Sequence, residues 1–355
     1  MPRTRYDLTR DDWSELLAGE PRFRLEQIWN GLYHQGKELS ELTSLPRQLR
    51  ERVERELPTA LTPVTESVSD GGDTVKFLWE LEGGARVETV LMHYADRSTV
   101  CVSSQAGCAM ACSFCATGQA GFERHLGVGE IVEQVVRARR VAAAATPPRR
   151  VSNIVFMGMG EPLANFDATW EAVHRIHDDM EIGARHITVS TVGLIPGIDR
   201  LATADLPVNL AVSLHAANDA LRDELVPINR RYPLAELMAS CRRYFDASHR
   251  RISFEWAMID GVNDRRSDAA ELAALARPLR AHVNLIPLNP TPGYAVRGSS
   301  RNRVFEFRRE LERHGTNVTL RDTRGTEIDA ACGQLRAGHE ATPVQRPRRA
   351  TARPA

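Results

Sequence analysis

Ser98-Thr-Val-Cys-Val-Ser103 leads through four residues to Cys108-Ala-Met-Ala-Cys112-Ser-Phe-Cys115, and then to an apolar-periodic stretch, Val128–Ala145. The first piece reads as a strand with Thr99, Cys101 and Ser103 on one side and Val100 and Val102 on the other. The last reads as a helix. A loop carrying three cysteines therefore joins a strand to a helix. The same rhythm continues along the chain. Strands are predicted at Ser152–Met157, His186–Thr191, Val208–His215, Ile252–Ile259 and His282–Pro287. Helices are predicted at Asp167–His177, Leu234–Phe245, Ser267–Leu279 and Arg301–Arg313, the last with Ser299 and Ser300 at its N-cap. Six strands alternating with helices predict a parallel α/β fold. A late strand, Asn317–Arg321, is expected outside the parallel set.

Upstream, residues 1 to about 60 read as helical. Leu25, Ile28, Trp29, Leu32 and Tyr33 form one apolar stripe, and Leu45–Leu57 forms a second helical stretch. Thr74–Leu81, Gly83-Gly84 and Ala85–Met92 read as a short β-hairpin. A small accessory domain is expected at 1–94, the α/β unit at 95–335 and a disordered basic tail at 336–355. The tail holds three prolines, five arginines and one acid.

The 355 residues carry 46 basic and 46 acidic side chains. This argues against a phosphate-coating basic protein and against an acidic disordered one. Lys37 and Lys76 are the two lysines; every other basic residue is arginine. The start of the chain, Met1–Trp13, has no apolar run of the secretory kind, and no apolar run reaches the ~20 residues of a membrane span. A cytoplasmic location is expected, where stable disulfides are rare and clustered cysteines bind metal or do chemistry.

C-x3-C-x2-C supplies three ligands to a 4Fe-4S cluster and leaves one iron open, whereas ordinary ferredoxin sites use four cysteines. Phe114 is placed to shield such a cluster from water. Zinc is the alternative, with Cys112, Cys115 and His125 in reach, and inert buried thiols are a third. Met157-Gly-Met-Gly160-Glu161-Pro162 after the second strand lets backbone approach a ligand and offers Glu161 to an ammonium group. Ser190, Ser213-Leu214-His215 and Asn289 follow later strands, at the carboxyl ends where barrel active sites lie. Singly each is an ordinary loop polar residue; jointly they outline a ligand site.

These motifs resemble the radical S-adenosylmethionine (SAM) superfamily. Val87-Glu-Thr-Val90, Cys101-Val-Ser-Ser-Gln-Ala-Gly-Cys108, Phe114-Cys-Ala-Thr-Gly118 and Arg324-Gly-Thr-Glu-Ile-Asp-Ala-Ala-Cys332-Gly-Gln-Leu335 sharpen this to the RlmN/Cfr family of radical SAM RNA methyltransferases, on the RlmN side. The likeness runs from about Gly19 to Leu335. It departs at Arg124-His125-Leu126, where Arg-Asn-Leu is expected.

The resemblance implies a partial (β/α)6 radical SAM barrel with a small N-terminal helical accessory domain and short hairpin. It implies a 4Fe-4S cluster on Cys108, Cys112 and Cys115. It implies SAM held by Gly160, Glu161, Ser190, Ser213, Leu214, His215 and Asn289. It also implies catalysis by Cys332, which is methylated and carries the methyl group, by Cys101, the resolving thiol, and by Glu88, the proton acceptor. Two SAM are used per turnover, and a transient disulfide closes the cycle. The implied substrates are an adenine C2 in 23S rRNA at the peptidyl transferase centre and one in tRNA, 3′ of the anticodon.

The implied electron donor is of the flavodoxin or ferredoxin kind; a monomer and no membrane contact are expected. C8 methylation of the Cfr kind is the alternative within the family. A zinc-stabilised, non-catalytic RNA-binding protein is the alternative outside it. A radical SAM enzyme of small molecules would leave Cys101, Cys332 and the accessory domain without a role. The arginine groups at 137/139/140, 149/150, 230/231, 242/243 and 250/251 are expected mainly on solvated faces. Cys241 is expected to be an inert core thiol.

Overall fold

A computed structural model describes residues 3–289, 297–322, 324–331, 333–335 and 337. Cys332 and nearly all of the basic tail lie outside the described residues. The strands are β1 (Thr62–Ser69), β2 (Thr74–Glu80), β3 (Arg86–His93), β4 (Ser98–Cys101), β5 (Gln105–Gly107), β6 (Phe122–His125), β7 (Val151–Phe156), β8 (Ile187–Thr191), β9 (Asn209–Ser213), β10 (Ile252–Met258), β11 (His282–Pro287) and β12 (Asn317–Leu320).

All but β5 and β6 join one sheet in the order β1-β2-β3-β4-β7-β8-β9-β10-β11-β12. From β4 to β12 each neighbour is parallel. The six predicted units are therefore present, and the strand at 317–320 extends them. It pairs parallel with β11, Asn317 opposite His282, instead of lying outside the set. The reason is the intervening helix, Arg301–Arg313, which packs against both strands and returns the chain in the same direction. Ser300 caps that helix, its hydroxyl accepting the Arg303 amide.

The N-terminal part differs from expectation in one respect. The hairpin β2–β3 carries a third antiparallel strand, β1, and β3 pairs antiparallel with β4. The sheet thus crosses the expected boundary at residue 94 without interruption. Before it, helices Arg10–Leu16, Phe23–Trp29 and Arg47–Glu56, with the π-helical turn Asn30–His34, bury Trp13, Ile28, Trp29, Leu32, Tyr33, Leu49 and Val53.

This helical part docks through polar bonds as well. Trp29 Nε1 donates to Asp179 at 2.9 Å, Arg139 donates to the Tyr33 carbonyl at 2.9 Å, and Arg140 pairs with Glu41 at 2.6 Å. Arg137 pairs with Glu133 of its own helix at 2.7 Å and donates to the Leu61 carbonyl at 3.1 Å. The cluster at 137/139/140 is therefore a docking device, not a solvated face. Arg243 pairs with Asp199 yet stays half exposed, as expected of a solvated face. Helices Ala116–Ala120, Ile195–Ala202 and Asp219–Leu225, not predicted from periodicity, are too short to show it. Among the described residues no helix is long and apolar enough to cross a membrane.

Candidate active site and its family

The cysteine loop starts from a two-stranded ribbon. β5 pairs antiparallel with β6, and the Cys108 amide donates to the Gly121 carbonyl at 2.6 Å. Gly107 is needed at this pinch: its φ is +72°, and a Cβ there would stand 2.0 Å from the Gly121 oxygen. The loop is then tied on both sides. Ser113 donates its amide to Leu225, and Ala116 donates its amide to Gly333 at 2.7 Å.

Cys108, Cys112 and Cys115 open together on one cavity at the carboxyl ends of the parallel strands, with about 1040 Å³ of empty space including its mouth. Burial pushes the Cys108 thiol up to about 12 and the Cys112 thiol well above its ordinary range. Such thiols stay protonated unless a cation holds them as thiolates. Phe114 lines the cavity and meets the His215 ring edge-on, 4.6 Å between centroids. His125 is exposed on β6, with Nδ1 3.1 Å from Gln105 Nε2, and does not line this cavity. The fourth donor of the zinc alternative is thus not brought to the thiols.

The segment 157–162 lies beside the loop. The Met159 amide donates to Ser103 Oγ, and the Met159 carbonyl accepts from Ser104 and Gln105. Glycines permit this approach. A Cβ on Gly158 would stand 2.6 Å from the Val102 oxygen, and one on Gly160, whose φ is +102°, 2.5 Å from Gln105 Cβ. Glu161 lines the cavity and is buried. Its carboxylate accepts the amides of Val192 at 2.9 Å and Leu163 at 3.2 Å, and burial raises its pKa to about 7.

Ser190 and Ser213 line the same cavity; Ser190 Oγ donates to the Phe156 carbonyl at 2.6 Å. His215, at φ +58°, also lines it. Its Nδ1 accepts the Ala257 amide at 3.0 Å, and burial with nearby Arg222 depresses the ring to about 3, so it is neutral. Leu214 departs from this set. Its side chain is fully buried in the core and does not line the cavity. The reason is the strand's alternation, which turns Leu214 away from the face that carries Ser213.

A smaller cavity adjoins the first and shares Met157, Ile286, Arg321 and Leu335 with it. Cys101, Asn289, Ala330 and Ala331 line it. Cys101 therefore stands beside the terminal segment that immediately precedes position 332, and Gly333 lines the cysteine cavity. Cys332 itself is outside the described residues. Thr117 Oγ1 donates to the Leu335 carbonyl at 2.5 Å, further seating this segment on the cysteine loop.

Glu88 is buried on β3, ion-paired with Lys76 at 2.8 Å, and accepts the Ala337 amide at 3.1 Å. Cys241 is fully buried in helix Leu234–Ser248 and lines neither cavity.

Sequence reasoning missed several contributors. Glu255 lines the cysteine cavity and is held by Ser253 Oγ at 2.6 Å and Asn284 Nδ2 at 2.9 Å. Its signal was a lone acid inside an apolar strand. Arg222, with no exposed surface, donates to the carbonyls of Leu214 and Val192 and to Asn229 Oδ1. It ties together the segments after β8 and β9. Nothing in the local sequence distinguishes it from a surface arginine.

Comparison with known proteins decides the family. The Radical SAM superfamily profile matches residues 102–273. A relative from Chloroflexus aurantiacus, described as a probable dual-specificity RNA methyltransferase RlmN, is 50% identical, covering 96% of this chain and 94% of its own. One of the same description from Salinispora tropica is 51% identical over 90% of this chain and 88% of its own.

The chain belongs to the RlmN family of radical SAM RNA methyltransferases.

A solved structure, a radical SAM methyltransferase from Sphaerobacter thermophilus, is 51% identical, with a TM-score of 0.92 over 95% of this chain and all of that one. The RlmN family's cofactors are a 4Fe-4S cluster and SAM. The residues present fit both groups. Three thiols share one cavity, which suits three corners of a cluster. Across it stand Glu161, a carboxylate for an ammonium, and the glycine-lined backbone of residues 158–160. Cys108, Cys112 and Cys115 would hold the cluster, and Glu161, Gly160, Ser190 and Ser213 would hold SAM.

Proposed function

We propose that this enzyme methylates C2 of adenine in RNA, with one substrate base in the peptidyl transferase centre of 23S rRNA and another in tRNA, 3′ of the anticodon. The RlmN descriptions of its relatives support the substrate class. Adenine C2 is electron-poor and does not attack a methyl sulfonium, so a polar route is blocked. When bound, the cluster and SAM supply methyl groups and a 5′-deoxyadenosyl radical. The chain's own groups do the rest. Cys332 takes up the methyl group through its sulfur and presents that carbon to C2. Glu88 takes the C2 proton. Cys101, as a thiolate, attacks the sulfur of Cys332; the C–S bond breaks with its electron pair passing to the product carbon, which takes up a proton to become the methyl group, and a disulfide remains for an external thiol or electron donor to reduce.

The observation that carries this reading is the shared wall between two cavities. Cys101 and the segment leading to Cys332 line one; the three cluster thiols line the other. This reading needs the methyl carrier between the site where a radical arises and the thiol that releases the product; Ala331 lines the cavity of Cys101 and Gly333 that of the cluster thiols, which supports it. The target base must leave its stack to enter, so loop or single-stranded RNA with a splayed base is the substrate form. In this reading residues 1–94 hold the RNA and contribute Glu88 from their hairpin, and 95–335 carry the cluster and both catalytic cysteines. The enzyme works on cytoplasmic RNA as a monomer, with a flavodoxin or ferredoxin as donor.

The test is the Cys101→Ala variant with its cluster reconstituted. Incubated with SAM, reductant and RNA, it should accumulate RNA joined through Cys332, seen by mass spectrometry of the digest. No adduct and no S-methylated Cys332 would remove the reading. Mass spectrometry and NMR of wild-type product should place the methyl group on C2; a C8 product would assign the enzyme to the other branch.

A further inference from the structure

The arginine-rich composition makes one lysine conspicuous. Of 46 basic side chains, only Lys37 and Lys76 are lysines. Lys37 is exposed. Lys76 is 12% exposed and its Nζ lies 2.8 Å from Glu88 Oε1, whose side chain is 5% exposed. The sheet register puts this pair on the face that carries Cys101, although neither side chain lines either cavity. Lys76 on β2 stands opposite Val90 on β3, and Val90 opposite Cys101 on β4. Glu88 is two residues from Val90, so Lys76, Glu88 and Cys101 share one face of the sheet. The terminal segment covers that face: Lys76 Nζ also donates to the Asp329 carbonyl at 3.3 Å, and the Ala337 amide donates to Glu88 Oε2 at 3.1 Å.

We propose that Lys76 is a positioning residue for Glu88, holding it as a carboxylate through Oε1 so that Oε2 is the oxygen that receives the C2 proton. The inference rests on the proton-acceptor reading of Glu88. The two cations differ in what they would do here. An ammonium is a compact point charge that binds one carboxylate oxygen, whereas a guanidinium fork takes both. Lysine therefore neutralises the buried charge and leaves the second oxygen to another partner. In the structure the Ala337 amide is such a partner, and one donor takes up only one of the lone-pair directions of a carboxylate oxygen. Atoms balance simply: C2 loses H⁺, Glu88 gains it at Oε2, and the Lys76 ammonium is unchanged.

Among the described residues, the charged and titratable groups at this face include Lys76 from β2, Tyr94 after β3, Cys101 from β4, Arg321 and Asp322 after β12, and Arg324 and Asp329 from the terminal segment. Helix Val128–Ala144 covers the opposite face, where Thr89 donates to Gln134.

The experiment uses the full chain with its cluster reconstituted and measures two rates on RNA: formation of the Cys332-linked adduct and its resolution. Lys76→Met should form adduct at a near-normal rate and resolve it at least ~10-fold more slowly at neutral pH, a loss on the scale of general-base catalysis. Lys76→Gln, which keeps a hydrogen bond to the terminal segment, should behave like Lys76→Met; Lys76→Arg, whose fork takes both carboxylate oxygens, should also resolve adduct slowly while forming it normally. Wild-type resolution in Lys76→Met or Lys76→Gln, or equal slowing of both rates, would overturn the proposal. Glu88→Gln separates the two readings. If it resolves adduct normally, the role of Glu88 falls and that of Lys76 with it; if it is slow while Lys76→Met is normal, only Lys76 falls.

Discussion

The Glu161 carboxylate accepts the Val192 amide at 2.9 Å, joining the segment after β7 to the one after β8 across the floor of the cysteine cavity. The bond keeps a carboxyl in place where burial, outweighing this and the other hydrogen bonds, raises its pKa from 4.5 to about 7. Between those two values the unfolded chain ionises Glu161 while the folded chain keeps it protonated. The unfolded state then binds fewer protons, so stability falls as pH rises, by up to ~1.4 kcal/mol per pH unit. Chemical denaturation of the cluster-free protein from pH 4.5 to 7 should show this slope relative to Glu161→Gln. Parallel stability curves for the two proteins would contradict it.

Gly160→Ala tests the close approach of the same segment. The new Cβ would lie 2.5 Å from Gln105 Cβ at a φ of +102°. Strain of this kind costs about 1–3 kcal/mol. Both the melting temperature and SAM affinity, measured by calorimetry, should fall. Gly121→Ala is the comparison: its φ is +85°, but a Cβ there meets nothing within 4 Å, so backbone strain acts without the clash.

Cys108→Ala should leave a folded, nearly colourless protein. Wild-type chain reconstituted under argon should be brown, with absorption near ~400 nm from the iron–sulfur centre and stoichiometric iron and sulfide. Stoichiometric zinc in a colourless wild-type protein would restore the zinc alternative.

Arg222→Met should destabilise strongly. The guanidinium is fully buried and donates to Leu214, Val192 and Asn229. Hydrogen bonds to a charged group contribute about 1.5–3 kcal/mol each, and their loss leaves buried carbonyls unpaired. A loss of at least ~3 kcal/mol is expected in urea unfolding. A loss under ~1 kcal/mol would show that water replaces the arginine.

Much of the fold was readable because its parallel strands are short apolar runs between helices, each punctuated by turn residues. β1 was not. Its residues Thr62-Pro-Val-Thr-Glu-Ser-Val-Ser69 are mostly exposed, so no alternation of apolar and polar marks them. β12 was visible as a strand, but its direction depended on how the preceding helix packs. The arginines at 137, 139 and 140 were legible only as charge; their partners lie about a hundred residues away or belong to the same helix. Leu214 was included through the motif Ser213-Leu-His215, whereas the side chains that reach the cavity are its two neighbours.

The sequence by itself determined the chemistry that a short stretch can encode: three thiols at C-x3-C-x2-C, a glycine-lined turn ending in Glu161, and the alternation that builds the parallel sheet. These are local, since a few bonds set the spacing of donors and the conformations that glycine permits. The tertiary structure decided what meets across the chain. It set Cys101 beside the segment that precedes Cys332, Lys76 against Glu88, and Arg222 under two separate strand ends. Such contacts come from sheet register and from closing long loops, and burial then selects which charges must find a partner.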